Sequence, residues 1–333
     1  MHISEHQKQY LYSMKVLITG ATGLVGSELV SQCHEKGYAV NYLTTRKNKI
    51  VSKQNYQGYF WDPTTGEIDA NCLDGVSTII NLAGSSISKR WTNSYKKEII
   101  DSRVNTLELL RKTLLEREGH TVKYLVSASA IGIYQDSLSH YYTEDNTNVD
   151  DSFLGEVVSL WEKKANEFKS LGLTVAKVRI GLVLSKDGGA LPEMAKPVKY
   201  YVGSAFGTGE QWQSWIHVAD LAGIFIHIIK YKLKGVYNGV APNPVTNAKM
   251  IKEIAKALDQ PLFMPNVPKL VMYTVLGKMA YILFASQRVS SKKIEEEGFV
   301  FNYVNICQAL GAIYDSGTKC VDDKSNVTKQ FVS

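Results

Sequence analysis

Three glycines at intervals of three, Gly20, Gly23 and Gly26, follow the apolar run Val16-Leu17-Ile18. After them Leu24, Val25, Leu29, Val30 and Cys33 recur with helical period, and Gly37 suits a helix end. The chemistry such a turn can do is to hold a diphosphate. Gly20 allows a tight turn, Gly23 lets main chain approach an anion unobstructed, and Gly26 lets the helix lie close on the strand. Free N–H groups and the positive end of the helix dipole then face the phosphates. Thr22, Leu24 and Val25 complete this first part of a dinucleotide site. An ordinary strand-to-helix turn is the competing reading; the buried strand before and the amphipathic helix after favour the ligand.

Further polar and small residues fall where later strands should end. Ala39 to Leu43 reads as a strand and leads into Thr44-Thr45-Arg46-Lys47. A site selective for a 2′-hydroxyl places an acid here. Thr45, Arg46 and Lys47 instead suit a 2′-phosphate, which favours NADP over NAD. The alternative is a solvated basic loop. Asp62, after the strand Tyr59-Phe60-Trp61, either contacts an adenine or forms a turn before Pro63. Leu82, Ala83 and Gly84 close a strand from Val76 and leave room for a cofactor backbone. Ser127 and Ser129 end the strand that begins at Val122.

These residues need a scaffold. The expected helices run from about Ser94 to Glu118 and from Gly155 to Leu171, with a sixth strand over Thr174 to Ile180. Strands alternating with helices imply an α/β fold: a doubly wound parallel sheet of Rossmann type, with right-handed crossovers. Ligands bind beyond the carboxyl ends of such strands. The boundaries drawn are a Rossmann domain over 14–185, its sheet completed by parts of 213–242, and a smaller substrate lobe mainly over 186–312. In that lobe Gly188-Gly189-Ala190 reads as a flexible loop, Asp220 begins a helix to Tyr231, and Val236 to Val240 forms a strand. Thr246 and Ser290 are expected helix caps. Residues 1–13 read as an N-terminal extension and 313–333 as a polar tail.

With 44% hydrophobic and 21% charged residues, the 333-residue chain has the composition of a soluble globular protein. A net charge of +6 without a long Lys/Arg run points away from nucleic acid. Cys33, Cys72, Cys307 and Cys320 lack metal spacing, so no metal site is expected and the thiols are read as reduced, in a cytoplasmic protein. The apolar stretch Leu270 to Ala285 is interrupted by Gly277 and Lys278 and is too short for a membrane span. It reads as a buried or partner-facing helix.

At this point the residues resemble a family. The glycine motif, the Asn-Leu-Ala-Gly strand end and the Ser-Ala-Ser strand end are similar to the extended short-chain dehydrogenase/reductase superfamily. The closer likeness is to its NADP-binding "epimerase family" subgroup with a distinctive C-terminal domain. Its marks include Arg90-Trp91, Ser102-Arg103, Gly132-Ile-Tyr134, Trp161-Glu162, Arg179-Ile-Gly181, Gln211-Trp212-Gln-Ser214-Trp215-Ile-His217, Pro242-Asn-Pro244 and Gln287-Arg288-Val289. The likeness covers about Lys15 to Leu310. It implies a Rossmann domain with a C-terminal substrate lobe, acting on nucleotide-sugar-like or related hydroxyl compounds.

The resemblance also implies a Ser that orients substrate, a Tyr acid/base and a Lys four residues later. Ser129 matches the Ser; a hydroxyl bonded to main chain is its alternative. The other two positions hold Val158 and Glu162. Valine transfers no proton, and a carboxylate raises a phenol's pKa. The substitute acid/base candidates are Tyr134 and His217, with Glu162 third. Arg90, Arg103 and Gln211 are candidate substrate contacts, and Trp91, Trp212 and Trp215 either line a ring-binding wall or pack the core. Arg103 and Arg179 could hold an anionic substrate, although Arg179, inside an apolar strand, is rather expected to pair with a buried carboxylate or main-chain oxygens. The expected function is an NADP-dependent oxidoreductase or epimerase, with NADP(H) and an unidentified small molecule as ligands, in a monomer or homodimer. The alternative is a non-catalytic NADP-binding sensor.

Overall fold

The computed structural model describes residues 14–316; the expected extension and most of the expected tail lie outside them. The first half alternates strand and helix: β1 (Lys15–Thr19), α1 (Leu24–Glu35), β2 (Ala39–Thr44), β3 (Tyr56–Asp62), β4 (Thr78–Asn81), α2 (Asn93–Glu116), β5 (Tyr124–Ala130), α3 (Phe153–Asn166) and β6 (Thr174–Ile180). Downstream lie α4 (Ala190–Lys199), α5 (Val218–Tyr231), β7 (Gly235–Gly239), α6 (Asn247–Ala257) and α7 (Lys269–Leu276). The central sheet runs β7-β6-β5-β4-β1-β2-β3, all neighbours parallel, with two short antiparallel strands beside β3.

Chain order reverses between β1 and β4. Right-handed crossovers on either side of that point send helices to opposite faces and leave a crevice beyond the strand ends. α1 packs on α5, and α2 packs on α3. β1 is buried along nearly its whole length, as a strand covered on both faces must be. The main core joins Val16, Leu17, Ile18, Ile79, Ile80, Leu125 and Val126 of the sheet to Leu29, Leu107, Leu110, Trp161 and Phe225 of the helices. A second core, with Leu191, Val198, Trp215, Met250 and Ile254, holds the smaller lobe together.

Several sequence expectations need adjusting. Gly188-Gly189-Ala190 is less a loop than the start of α4: Gly189 occupies the N-cap position and Ala190 is already helical. The stretch from Leu270 to Ala285 is two helical pieces joined by a 3₁₀ turn at Gly277–Ala280, and α7 buries no residue. Cys33 and Cys72 are buried free thiols, but Cys307 is disulfide-bonded, which corrects the reading of all the cysteines as reduced. Cys320 lies outside the described residues.

Candidate functional site

The glycine turn sits at the carboxyl end of β1. Gly20 adopts φ +72°, a conformation that only glycine takes without strain. A Cβ on Gly26 would overlap the Gly20 carbonyl oxygen and Ala21 main chain, so the third glycine is what lets α1 close onto the turn. Gly23 is the N-cap of α1 and offers no side-chain cap. The first amides of α1 therefore remain available to an anion, with Thr22 and Gly23 exposed and Leu24 and Val25 half-exposed around them.

The neighbouring strand ends are tied together from behind. Thr19 Oγ1 donates to Asn81 Oδ1 at 2.8 Å and accepts from the N–H groups of Leu82 and Ala83, both at 3.1 Å. Asn81 Nδ2 in turn donates to Ser127 Oγ at 3.2 Å. This chain fixes Leu82 and Ala83, half-exposed, and Gly84, exposed, at the crevice. Ser127 is consumed by it: fully buried, it also donates to the Ala128 carbonyl, so the expected cofactor contact is a strut between β4 and β5. Thr45, Arg46 and Lys47 are exposed beyond β2, with Lys47 Nζ 4.6 Å from the Phe60 ring centroid. Asp62 caps a turn instead of pointing free: its Oδ1 accepts from the Thr64 N–H at 2.8 Å, and those bonds hold its carboxyl below the usual range.

Ser129, at the end of β5, heads a buried polar cluster. Its Oγ donates to Glu162 Oε1 at 2.7 Å. Glu162 also accepts from Arg179 Nε (2.8 Å) and Nη2 (3.2 Å) and from Lys177 Nζ (3.0 Å). The two-pronged Arg–carboxylate pairing is geometrically selective, and Arg179 meets the buried carboxylate expected for it. Burial pushes the Glu162 carboxyl up, but Arg179, Lys177 and the Ser129 hydroxyl outweigh burial and hold it below the usual range. Glu162 is thus an ionised anchor, with every strong donor around it engaged, and not a group poised to exchange a proton.

Tyr134 is likewise fully engaged. It is fully buried; its hydroxyl donates to Asn238 Oδ1 at 2.7 Å and accepts from Arg179 Nη1 at 3.0 Å. Burial drives its phenol up to about 12, with Arg179 pulling the other way. Val158 lies in an apolar cluster with Tyr134, Tyr142 and Val289. His217 caps α5, its Nδ1 accepting from the Ala219 N–H at 3.1 Å, and its ring rests on Tyr303. Burial lowers its pKa, against the pull of Asp220 and Glu28. Its charged neighbours, Glu28 and Asp220, belong to α1 and α5.

The substrate candidates divide. Trp91 is buried against Phe153, with Nε1 donating to the Ile87 carbonyl, and Trp215 is fully buried with Nε1 on the Asn243 carbonyl. Gln211 is a clip, its Nε2 shared between the Phe206 and Leu283 carbonyls. These three hold the fold. Trp212 stays half-exposed, stacked 4.6 Å from the Arg288 guanidinium, and Arg90 is exposed. Arg103 lies behind Gly84, bonded to the carbonyls of Ser85 (3.2 Å) and Ile99 (2.9 Å), and burial lowers its pKa to about 10. It is a half-buried cation that meets main-chain carbonyls and, 4.9 Å from its guanidinium carbon, the Trp161 ring. Sequence reasoning passed over Lys177, and took Asn238 only as a mark of the family resemblance, not as the partner of Tyr134. Lys177 had a signal, since it stands two residues from Arg179 on a strand and so shares its face.

A parallel sheet with a phosphate-ready glycine turn at its switch point defines a Rossmann-type dinucleotide-binding class of fold. Residues 16–152 match the NAD dependent epimerase/dehydratase family, and residues 267–313 match a domain of unknown function, DUF1731. An epimerase family protein of Staphylococcus epidermidis is 36% identical over 301 residues, covering 89% of this chain and 97% of its own. A Staphylococcus saprophyticus epimerase family protein is 36% identical over 299 residues, covering 88% and 97%. The chain belongs to this epimerase family. Among solved structures, human epimerase family protein SDR39U1 (isoform 2) with NADPH superposes with a TM-score of 0.78 at 29% identity, covering 91% of this chain and all of the human one. The nucleoside-diphosphate sugar epimerase of Corynebacterium glutamicum gives 0.73 at 30%, covering 92% of this chain and 59% of that one.

Proposed function

We propose that this chain is an NADP-dependent oxidoreductase or epimerase acting on a hydroxyl or carbonyl group of a nucleotide-sugar-like small molecule. The observation that carries the reading is the convergence, at the ends of β1, β2, β4 and β5, of free helix amides, an exposed cation pair, small residues and Ser129. The residues fit the cofactor. Gly20 to Gly26 would receive the diphosphate, Arg46 and Lys47 the 2′-phosphate, and Leu82 to Gly84 the chain of the dinucleotide. When bound, the nicotinamide supplies or accepts a hydride. Ser129, its proton committed to Glu162, would present oxygen lone pairs to a substrate hydroxyl. Arg103 would meet an anionic portion of the substrate. The NADPH-bound human relative and the sugar-nucleotide epimerase relative support the cofactor and the substrate class.

The second reading, a non-catalytic NADP-binding sensor, draws on one feature: Val158 sits in an apolar cluster and Glu162 in ion pairs where a proton-transferring pair would stand. Both readings require NADPH uptake, measured by calorimetry on the full chain. They part on hydride exchange. Incubation with 4-deuterated NADPH and a panel of nucleotide sugars and carbonyl compounds should move deuterium into at least one compound. Tight NADPH binding with no exchange anywhere supports the sensor.

A further inference from the structure

The C-terminal lobe carries a surface that neither reading uses. Residues 261–285 contain Lys269 and Lys278 and no Asp or Glu. On α7, Leu270 is 79% exposed and Val275 63%, with Val271 beside them, while Met272, Tyr273 and Leu276 turn half-buried toward the protein. Positions 270, 271, 274 and 275 share one face of α7, so the outward stripe is aliphatic with one hydroxyl, and exposed Lys278 follows in the 3₁₀ turn beyond the helix end. The Thr274 hydroxyl is already spent on the Leu270 carbonyl at 3.0 Å.

The stripe is held firmly at both ends. After Gly277, Met279 and Ile282 pack on the Trp91 cluster, and the Tyr281 hydroxyl reaches Asp150. Before α7, the Val267 N–H donates to the Ala205 carbonyl at 2.9 Å. That joins exposed Phe263 and Met264 to a chain segment that has just exposed Tyr200, Tyr201 and Val202. Tyr200 also borders a cavity of about 510 Å³ lined by Lys186, Lys196, Lys199 and Tyr314.

We propose that residues 261–285, with Tyr200, Tyr201 and Val202, lie in the plane of an anionic lipid bilayer surface. The chemistry matches: protruding aliphatic side chains enter the acyl boundary, tyrosines sit at headgroup level, and flanking lysines meet anionic headgroups. A protein interface of ordinary size carries about ten hydrogen bonds to fix its register. The aliphatic stripe of Leu270, Val271 and Val275 offers only the already bonded Thr274 hydroxyl, whereas a bilayer needs none. At eight residues, α7 is about 12 Å long and cannot cross a membrane; no helix among the described residues is long and apolar enough to do so.

The test is flotation of the full chain with vesicles of phosphatidylglycerol and phosphatidylcholine in equal parts, against phosphatidylcholine alone, with and without NADPH. Partition into the anionic vesicles, weakened by salt, is expected. Leu270→Glu and Val275→Glu should each weaken it roughly tenfold or more, with NADPH affinity and thermal unfolding unchanged, since both side chains are exposed. Lys269→Gln with Lys278→Gln should remove much of the preference for phosphatidylglycerol. Absence of partition into either vesicle overturns the proposal, as does equal partition of wild type and both glutamate variants. A concentration-dependent dimer that Leu270→Glu dissolves also overturns it and assigns the face to a second copy.

Discussion

Glu162→Gln probes the arrangement on which Ser129 depends. The Glu162 side chain is only 9% exposed and accepts bonds from Ser129, Lys177 and both prongs of Arg179. Glutamine keeps the shape, loses the charge, and turns an acceptor into an NH₂ facing donors. Two buried cations then lack their counter-charge. Breaking a buried ion pair from one side costs about 3–5 kcal/mol, against a total stability of roughly 5–15 kcal/mol. Urea unfolding should show a lower midpoint with little change in slope. The pH dependence gives a second readout. Because the folded Glu162 carboxyl is held below the ordinary range of a free glutamate, its contribution is complete above that range and is lost as pH falls through the folded value. That part of the acid limb should be missing in the variant. Glu162→Gln combined with Lys177→Met should recover part of the loss, because one stranded cation is removed. A change below about 1 kcal/mol, with an unaltered acid limb, would refute the view that Glu162 is an ionised anchor.

Arg46→Asp should weaken NADPH binding roughly tenfold or more while leaving NADH nearly untouched, by calorimetry; equal losses remove the 2′-phosphate role. Gly26→Ala should destabilise the protein by about 1–3 kcal/mol through overpacking and abolish dinucleotide uptake, since α1 must move off the Gly20 carbonyl; normal uptake would show that this close approach is dispensable. Ser129→Ala should keep NADPH affinity within about threefold, below 1 kcal/mol, yet stop deuterium exchange on any responding substrate. Exchange at the wild-type rate takes Ser129 out of the chemistry.

The adjusted assignments share a cause. Tyr134, Ser127, Gln211 and Trp215 carry groups that could face a ligand, and each spends them on a partner elsewhere in the chain: Asn238, Asn81, Leu283 and Asn243. A hydroxyl, amide or indole reads alike in the sequence whether it meets a substrate or a group from a distant segment of the chain. Arg179 was more legible, because a cation inside an apolar strand requires a buried carboxylate or main-chain oxygens, and the structure supplies Glu162.

What the sequence determined by itself is what local physics dictates. The glycine turn, the period-2 and period-3.6 segments and the parallel order follow from steric freedom, apolar spacing and crossover handedness, all acting within a few dozen residues. The basic pair after β2 was legible for the same reason: nothing distant is needed to leave it exposed. Tertiary structure alone decided which polar groups remain free. It turned Glu162 from a proton-transfer candidate into an anchor, buried Tyr134, and left the aliphatic stripe of α7 outside both cores, because burial and pairing depend on contacts between segments that no local spacing encodes.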